Sequence, residues 1–517
     1  MKIYLMFSCV IFFGIQGFSQ SPKVTVDHVP VGYSFVHNDS IKAVEYRFEQ
    51  MIIDYYLDTL RNTFTIKLRE INKNRTKFLN SGEILFFDLS SEKLKWSKPI
   101  NYATTEFQQF PDYLLESNLT HSYSLNIETG KIKWEAKSDI YHIHKPTNTG
   151  IGYPFIRGLQ KPSNTLKGID ISSGREIWER IIHRDYGWND VITLNDSTVG
   201  IVASGIQAVN IYDGSGWAYY TTTGTNKIDA KTTVAMNAVG LGLGLLTGFY
   251  FYGVSINVIS DIVSNVIYTD NKLFMTSYEK ISCIDAFTGK VVWSNTLSDR
   301  LVSSGHLYMD EGILYQLNLG RAQNNGKAIK LGVPYLVEYD LNTGKQGYYT
   351  PFSFDGYVLD HKMKGPFIDI LSNQEFVRID KKTGQILKQL SVTLEKEEEY
   401  VSYLDFSVFF KENEKFHDLR EDNPNSYFIR TAKNQLIMVN DELEYEGKFS
   451  LYDFYNVVGK YEDLLILQKD NMISVIGGNQ IEIATIRNLG LAIVSDNFLL
   501  LIQDDAVKKV DLKLLKN

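Results

Sequence analysis

The segment Gly168-Ile-Asp170-Ile-Ser-Ser-Gly174-Arg-Glu-Ile-Trp178 decides the fold, because the same phrase recurs along the chain. It returns as Cys283-Ile-Asp285-Ala-Phe-Thr-Gly289-Lys-Val-Val-Trp293 and as Ser124-Leu-Asn126-Ile-Glu-Thr-Gly130-Lys-Ile-Lys-Trp134. Each copy has an apolar stretch, an Asp or Asn, a Gly four positions later and a Trp four positions after the Gly. A fixed phrase at a period of about 40 residues predicts a repeat architecture.

The Asp and Gly of the phrase predict a turn between two strands. A carboxylate or amide side chain accepts hydrogen bonds from backbone amides two residues on, and Gly takes a positive φ without steric cost. The flanking residues are apolar or β-branched, as in half-buried strands. We therefore interpret the aspartates as turn formers and not as catalytic groups. The residues concerned are Asp170, Gly174, Asp285, Gly289, Asp340, Gly344, Asp380, Gly384 and Gly130, which follows an Asn.

The tryptophans fall once per repeat, on the strand that leaves the turn. Trp134, Trp178 and Trp293 hold the position directly, Trp96 holds it in a copy where Glu replaces Gly, and Trp217 is shifted by one. Large flat side chains at this spacing suit packing between successive sheets. The tryptophans are therefore expected to be core residues. Trp188 alone lies outside the phrase.

The phrase resembles the repeat of quinoprotein-type β-propellers, also called pyrroloquinoline-quinone-like repeats. The resemblance is specific from about Gly82 to Leu390 and looser towards the C-terminus. It implies an all-β propeller of four-stranded antiparallel blades, for which eight blades are favoured and seven are the alternative. Residues 81–517 are assigned to the propeller, and residues 20–80 are expected to close it. The resemblance is nearer to the non-catalytic branch that scaffolds outer-membrane protein assembly than to the quinone dehydrogenases.

The first 19 residues predict a signal peptide, with Lys2, an apolar stretch from Ile3 to Phe18, and small residues before Gln20. A lipoprotein leader modified at Cys9 and a retained anchor are the alternatives. Export to the periplasm or to the outer membrane follows. The formal net charge of −8 without a basic run argues against nucleic acid as a partner. After cleavage Cys283 is the lone cysteine, which we interpret as a buried small apolar residue.

A segment between two copies of the phrase, residues 224–265, breaks the pattern. Trp217 and Trp293 are 76 positions apart, and no charged residue occurs from Thr232 to Ser260. Within it, glycines at four-residue spacing would line one face of a helix (Gly240, Gly244 and Gly248). An element packed on the propeller is the first interpretation, and a hairpin in contact with a membrane through 232–260 is the second. A phosphate-binding loop is a poor fit because no Lys or Ser/Thr follows the glycines at the required spacing.

The sequence contains no motif that specifies catalysis. The adjacent cysteines found in many quinone dehydrogenases are absent, and no motif supports a calcium ligand or a catalytic Asp. His142 and His144 could share a strand face, but no third metal ligand is nearby; Glu395–Glu399 reads as a solvated loop. We therefore assign no catalytic or metal residue and expect no cofactor, with quinone plus calcium as the alternative. The hypothesis is an exported, non-catalytic propeller that binds a protein of the cell envelope; its rival is an oxidoreductase or sensor that binds quinone or another small ligand in the central funnel.

Overall fold

The computed structural model describes most of the chain after the leader. The described residues are 24–58, 60–110, 113–118, 120–156, 161–162, 164–184, 189–224, 259–278, 280–297, 303–324, 327–354, 356–373, 375–391 and 399–516. The signal peptide 1–19, Trp188, residues 395–398 of the acidic loop and almost all of the uncharged segment 232–260 lie outside them.

Within the described residues the chain forms a succession of four-stranded antiparallel sheets, each built from strands that follow one another in sequence. We call them blades 1 to 8. Their strands are, for blade 1, Met51–Asp58, Thr63–Ile71, Phe78–Asp88 and Lys93–Asn101; for blade 2, Glu106–Gln109, Leu114–Ser117, Ser122–Leu125 and Ile132–Ala136; for blade 3, Asp139–His144, Thr149–Tyr153, Thr165–Asp170 and Glu176–Ile181; for blade 4, Asp190–Asn195, Thr198–Val202, Gly205–Asn210 and Ala218–Tyr220. They continue, for blade 5, with Ile267–Thr269, Lys272–Thr276, Lys280–Asp285 and Val291–Thr296; for blade 6, Gly305–Asp310, Ile313–Asn318, Tyr335–Asp340 and Gln346–Pro351; for blade 7, Val358–Lys364, Phe367–Ser372, Phe376–Asp380 and Ile386–Leu390; for blade 8, Tyr400–Tyr403, Tyr427–Thr431, Gln435–Val439 and Tyr445–Ser450.

Two further four-stranded groups lie inside one eleven-stranded sheet. Blade 9 contains Tyr455–Tyr461, Leu464–Lys469, Met472–Ile476 and Glu482–Arg487, and blade 10 contains Leu491–Ser495, Phe498–Ile502, Ala506–Asp511 and the N-terminal strand Asp39–Arg47. The described residues therefore form ten blade-like units, and the expected count of eight, or seven, is not met. The last three units lack the Asp-to-Gly turn of the phrase, so the repeat could not be counted there from sequence.

The remaining elements are short. They are the strands Thr25–Ser34, Phe155–Ile156, Lys161–Pro162, Ile259–Ser260, Arg321–Asn324, Lys327–Lys330, Val408–Glu412 and Lys415–Asp418, the α-helix Leu419–Asp422, and the 3-10 turns Lys145–Thr147, Leu451–Asp453 and Leu512–Leu515.

Burial follows the strand order within each blade. Second and third strands are almost wholly buried, as in 313–318 and 280–285, whereas fourth strands such as 386–390 are largely exposed. First strands of neighbouring blades meet: Tyr308 of blade 6 contacts His361 of blade 7, and Asp360 accepts a hydrogen bond from the Tyr403 amide of blade 8. This is the arrangement of a β-propeller, whose first strands face the central channel.

The two ends of the chain pair in one ladder. Asp39–Arg47 runs antiparallel to 506–511, with Val44 opposite Lys509, and Thr25–Ser34 joins this strand to the fourth strand of blade 9. Residues 25–47 are thus the part of the segment 20–80 that pairs with the last blade. Residues 51–71 already belong to blade 1, so the propeller begins earlier than the expected boundary at residue 81.

The segment between blades 4 and 5 leaves and re-enters the fold at one place. The Ile262 amide donates to the Thr223 carbonyl oxygen at 3.0 Å, and the Tyr278 amide donates to the Thr222 carbonyl oxygen at 2.9 Å. The last residues of the 224–265 insertion are part of the folded body, because Ile259 and Ile262 are buried. Blades 4 and 5 are direct neighbours through Trp217, so the extra length adds no blade between them.

Candidate functional site

The aspartates of the repeat phrase close the turn between the third and fourth strands. Asp285 accepts hydrogen bonds from the Phe287 and Thr288 amides at 3.1 and 2.8 Å and from the Thr288 hydroxyl at 2.7 Å. The Thr288 contacts lower the pKa of Asp285. The same bonding, also with a lowered pKa, occurs at Asp170, Asp340 and Asp380.

The tryptophans join each blade to the next. Trp134 donates its indole N–H to the Ile171 carbonyl oxygen at 2.6 Å, and this carbonyl belongs to the residue directly after Asp170. The ring lies against Gly174, where an added Cβ would be 2.7 Å from the indole Cδ2. Gly174 has φ of 73°, so Gly both permits the turn and makes room for the ring.

The same contact recurs at six consecutive joints. The donor and acceptor pairs are Trp96 with Ile127, Trp134 with Ile171, Trp178 with Ile211, Trp217 with Ala286, Trp293 with Leu341, and Tyr348 with Lys381; the glycines beneath the rings are Gly130, Gly174, Gly214, Gly289, Gly344 and Gly384. The residues of the phrase are therefore placed together pairwise at blade joints and away from the central channel.

A different group of residues comes together on the first strands of blades 6 and 7 and at the start of the strand Arg321–Asn324. His306, Tyr308 and His361 form this channel cluster with Asp360 and Arg321, and all five are half-buried. The two imidazole rings are 4.4 Å apart between centroids, and the Tyr308 hydroxyl shares a hydrogen bond with His361 Nδ1. Asp360 accepts from the Tyr403 amide at 3.0 Å and from the His361 amide at 2.8 Å.

The electrostatics of the channel cluster follow from burial. Desolvation lowers the pKa of His306 to about 4 and, with the nearby His306 and Arg321, that of His361 to about 3. Burial also lowers the pKa of Arg321 and raises that of Asp360. At neutral pH the cluster thus presents two neutral imidazoles and a phenol beside a guanidinium, which together can donate hydrogen bonds to a carbonyl or an anion.

Asp261 extends this cluster at the point where the inserted segment re-enters the fold. It has a positive φ of 63°, and its carbonyl and carboxylate oxygens both accept from the Ser304 hydroxyl. Burial raises the pKa of Asp261 to about 6 against the opposing effect of Arg321. Sequence reasoning missed these residues because they are spread over a hundred positions and share no motif.

The structure describes no grouping of three or more His, Cys, Asp or Glu suited to a metal ion within the described ranges. His144 is buried, with Nδ1 2.9 Å from the Thr147 hydroxyl of the adjacent turn, and burial lowers the pKa of His142. Cys283 is fully buried, and burial raises the pKa of its thiol to about 11. No helix in the described part of the chain has the length and apolar character of a membrane span.

Comparison with protein families bears out the resemblance seen in the repeat phrase. A family model described as outer membrane protein assembly factor BamB matches residues 255–402, which cover blades 5 to 7 and the start of blade 8. Residues 255–402 thus match the pyrroloquinoline-quinone-like repeats of this family. A search of curated proteins finds no match.

Several solved structures resemble the chain. BamB from Moraxella catarrhalis is 11% identical, with 74% of this chain and 96% of that chain covered and a TM-score of 0.35. The dihydro-heme d1 dehydrogenase NirN in complex with DHE is 12% identical, with coverages of 76% and 74% and a TM-score of 0.33. AztD from Citrobacter koseri is 8% identical, with coverages of 71% and 92% and a TM-score of 0.32.

Proposed function

We propose that the protein is a non-catalytic scaffold of the cell envelope that binds another protein during outer-membrane protein assembly. The observation that carries this proposal is the match of residues 255–402 to the assembly-factor family. The joints described above support it, because a ring of blades fixed by buried hydrogen bonds offers loop-lined faces of constant shape. Fold alone does not establish function, so the family match is what distinguishes this proposal from others.

The location that goes with this function is the periplasm or the periplasmic face of the outer membrane. A partner there would be a protein. Residues 232–260 pack on the propeller in the first interpretation of this segment, and contact with a membrane is the alternative. No cofactor is needed for such a role.

A second candidate is a small-ligand oxidoreductase or sensor, favoured by the channel cluster. Its His and Tyr side chains lie on the first strands of blades 6 and 7, with Arg321 of the strand Arg321–Asn324 beside them, where a propeller that uses its funnel would hold a ligand. The five tryptophans that the structure describes, in contrast, all bond across blade joints, and none lies in the channel cluster where it could stack on a ligand.

Two measurements test the scaffold function. The gene is deleted in the organism that carries it, and folded outer-membrane proteins are quantified in the envelope fraction; a fall that the intact gene restores is expected. Purified protein is separately given calcium, quinone and a dye acceptor with alcohols or sugars. Robust dye reduction, or an unchanged outer-membrane protein content, would overturn the scaffold function.

A further inference from the structure

The channel cluster lies where three elements meet near the start of the first strands of blades 6 and 7. The Ser304 amide donates to the Arg321 carbonyl oxygen at 2.7 Å, and the Ser304 hydroxyl donates to Asp261. The Val358 amide donates at 2.8 Å to the carbonyl oxygen of Leu319, two positions before Arg321. These contacts hold Arg321 between Asp261 on one side and the first strand of blade 7 on the other.

The Arg321 guanidinium is held in place without its donors being used. It is half-buried, and in the part of the chain that the structure describes it has no ion pair within 4.0 Å and no hydrogen bond. Its one ring contact there is with Tyr357, whose centroid is 5.9 Å away. A guanidinium carries five N–H donors, and burial of a charge without a partner is costly. Desolvation accordingly lowers the pKa of Arg321.

Two carboxylates stand near Arg321 without contacting it. The charges of Asp261 and Asp360 both act on the guanidinium, yet among the described residues neither carboxylate lies within 4.0 Å of it. Burial raises the pKa of both acids, which shows that neither has a full counter-charge. The cluster therefore presents positive and negative groups that the protein itself does not join.

His306 adds an uncharged hydrogen-bonding group to this arrangement. Its ring nitrogens have no hydrogen-bond partner within the described ranges, whereas His361 Nδ1 shares a hydrogen bond with the Tyr308 hydroxyl. Because burial lowers the pKa of both imidazoles, they are neutral at pH 7. A neutral imidazole offers one donor and one acceptor and adds no charge. One guanidinium against two carboxylates thus leaves the cluster with a net negative charge.

These charges discriminate between classes of ligand. A simple anion would meet the guanidinium but would be repelled by the two carboxylates, and a simple cation would be repelled by the guanidinium. A zwitterion with a carboxylate and an ammonium a few ångströms apart can pair with both kinds of group. The carboxylate is also the group that a guanidinium binds best, through two parallel hydrogen bonds.

We propose that the channel cluster binds a free α-amino acid, whose carboxylate pairs with Arg321 and whose ammonium pairs with Asp261 and Asp360. This binding site goes beyond the scaffold function and does not rest on it. The tests below use the purified chain, whereas the scaffold function is tested by the outer-membrane protein content of the organism. Either function can therefore fail without the other.

The first experiment compares small molecules by isothermal titration calorimetry at pH 7. L-Alanine and L-leucine are the probes. Their matched analogues are propionate and 4-methylpentanoate, which lack the ammonium, and ethylamine and 3-methylbutylamine, which lack the carboxylate. We expect at least one of the amino acids to bind and its two analogues to bind at least about tenfold more weakly. Absence of binding by both amino acids, or equal binding by an analogue, would overturn the proposal.

The second experiment changes the charged groups. Arg321→Gln and Asp261→Asn are each expected to weaken amino-acid binding at least about tenfold. Asn tolerates the positive φ of 63° at position 261, so this change removes the charge without new backbone strain. The matched controls are Arg175→Gln on an exposed turn and Asp270→Asn, which is exposed and has φ of 47°; both should bind like the wild type. Unchanged binding in either cluster variant would overturn the proposal.

Thermal unfolding separates a role in binding from a role in folding. Since the Arg321 guanidinium is unpaired, Arg321→Gln should keep or raise the melting temperature measured without an amino acid. The bound amino acid should raise the melting temperature of the wild type but not that of Arg321→Gln. A lower melting temperature of Arg321→Gln that the amino acid still raises would show that Arg321 supports the fold and not the ligand, which would overturn the proposal.

The pH dependence of binding has opposite signs for a zwitterion and for an anion. Asp261 has a pKa of about 6, so it is ionised at pH 7 and mostly neutral at pH 5, whereas His306 and His361, with pKa values of about 4 and 3, stay largely neutral at both. Amino-acid affinity should therefore fall about tenfold from pH 7 to pH 5, and Asp261→Asn should remove most of this fall. An affinity that rises towards pH 5 would indicate an anion site and overturn the proposal. The other charged or titratable groups of the site are Arg321, Tyr308, Tyr357 and Asp360.

Discussion

Lys509 donates its Nζ to the carbonyl oxygen of Leu89 at 3.0 Å, although the two residues are 420 positions apart in sequence. Leu89 follows Asp88, so its carbonyl is the equivalent of the one that the indole N–H reaches at the joints of blades 1 to 5. The same ammonium is 2.6 Å from a carboxylate oxygen of Glu92. Blade 10 is therefore attached to blade 1 by a cation in the role that Trp has elsewhere, and this contact closes the ring.

Removal of this contact should weaken the whole fold. Lys509→Met keeps most of the side-chain length but leaves the Leu89 carbonyl without its donor, which should lower the free energy of unfolding by about 2 kcal/mol. Urea unfolding measures this change in the free energy of unfolding. The control is Lys513→Met at an exposed lysine, whose free energy of unfolding should stay within about 0.5 kcal/mol of the wild-type value. Equal effects of the two changes would mean that the Lys509 contact does not stabilise the ring.

At a joint formed by a Trp, the contribution of the indole hydrogen bond to stability can be measured separately from the contribution of the ring's packing. Trp134→Phe keeps an aromatic ring but removes the donor to Ile171, with an expected cost of about 1–2 kcal/mol. Trp134→Ala also opens a cavity and should cost about 3–5 kcal/mol. Both are measured by denaturant unfolding at one pH. A similar cost for the two variants would contradict a packing role for the ring.

Two glycines with the same backbone requirement differ in their surroundings. Gly174 and Gly312 have φ of 73° and 81°, but an added Cβ meets the Trp134 ring at Gly174 and nothing within 4 Å at Gly312. Gly312→Ala should therefore cost only the backbone strain of about 1–2 kcal/mol, whereas Gly174→Ala adds about 1–3 kcal/mol from the displaced ring. Thermal unfolding of the pair isolates the packing contribution; equal melting temperatures would show that the ring moves freely.

The channel cluster should make stability depend on pH. His306 and His361 have pKa values of about 4 and 3 in the fold, below the value of about 6.5 in an unfolded chain, so the unfolded state binds protons first as the pH falls. Stability present above pH 6.5 should thus be lost progressively towards pH 4. The charged and titratable groups facing the pair are Tyr308, Asp360 and Arg321.

Replacement of both histidines by Gln should flatten this dependence between pH 6.5 and 4.5, measured by urea unfolding at four pH values. His37, which is exposed, provides the control as His37→Gln. If the double variant keeps the wild-type slope, the channel histidines are not the groups that titrate.

The adjacent ends of the inserted segment allow it to be removed. Since the Ile262 amide bonds to the Thr223 carbonyl, a short Gly-Ser linker in place of residues 225–258 should leave the blades intact, with a change in unfolding free energy of about 1 kcal/mol or less. Circular dichroism and thermal unfolding of the shortened chain check this. Loss of cooperative unfolding would show that the segment is needed to hold blades 4 and 5 together.

Much of the blade architecture could be predicted from short local sequence patterns. Asp285, Gly289 and Trp293 predict a turn, a positive φ and an inter-sheet ring, because each of these depends on neighbours within a few positions. The strands after residue 390 lack this Asp, Gly and Trp pattern. The sequence therefore led us to expect eight blades, whereas the described residues form ten four-stranded units. The channel cluster was beyond prediction for a related reason: His306 and His361 meet because first strands of successive blades face one axis.

The sequence by itself determined the propeller repeat, the turns and which side chains join one blade to the next. Only the tertiary structure decided where those side chains find their partners. A Trp in a strand predicts that its ring is buried, but the carbonyl oxygen that accepts the hydrogen bond from its indole N–H lies in another blade. For the same reason the sequence places Lys388 four positions after Gly384, but only the fold shows that its Nζ donates to the Glu442 carbonyl oxygen of blade 8.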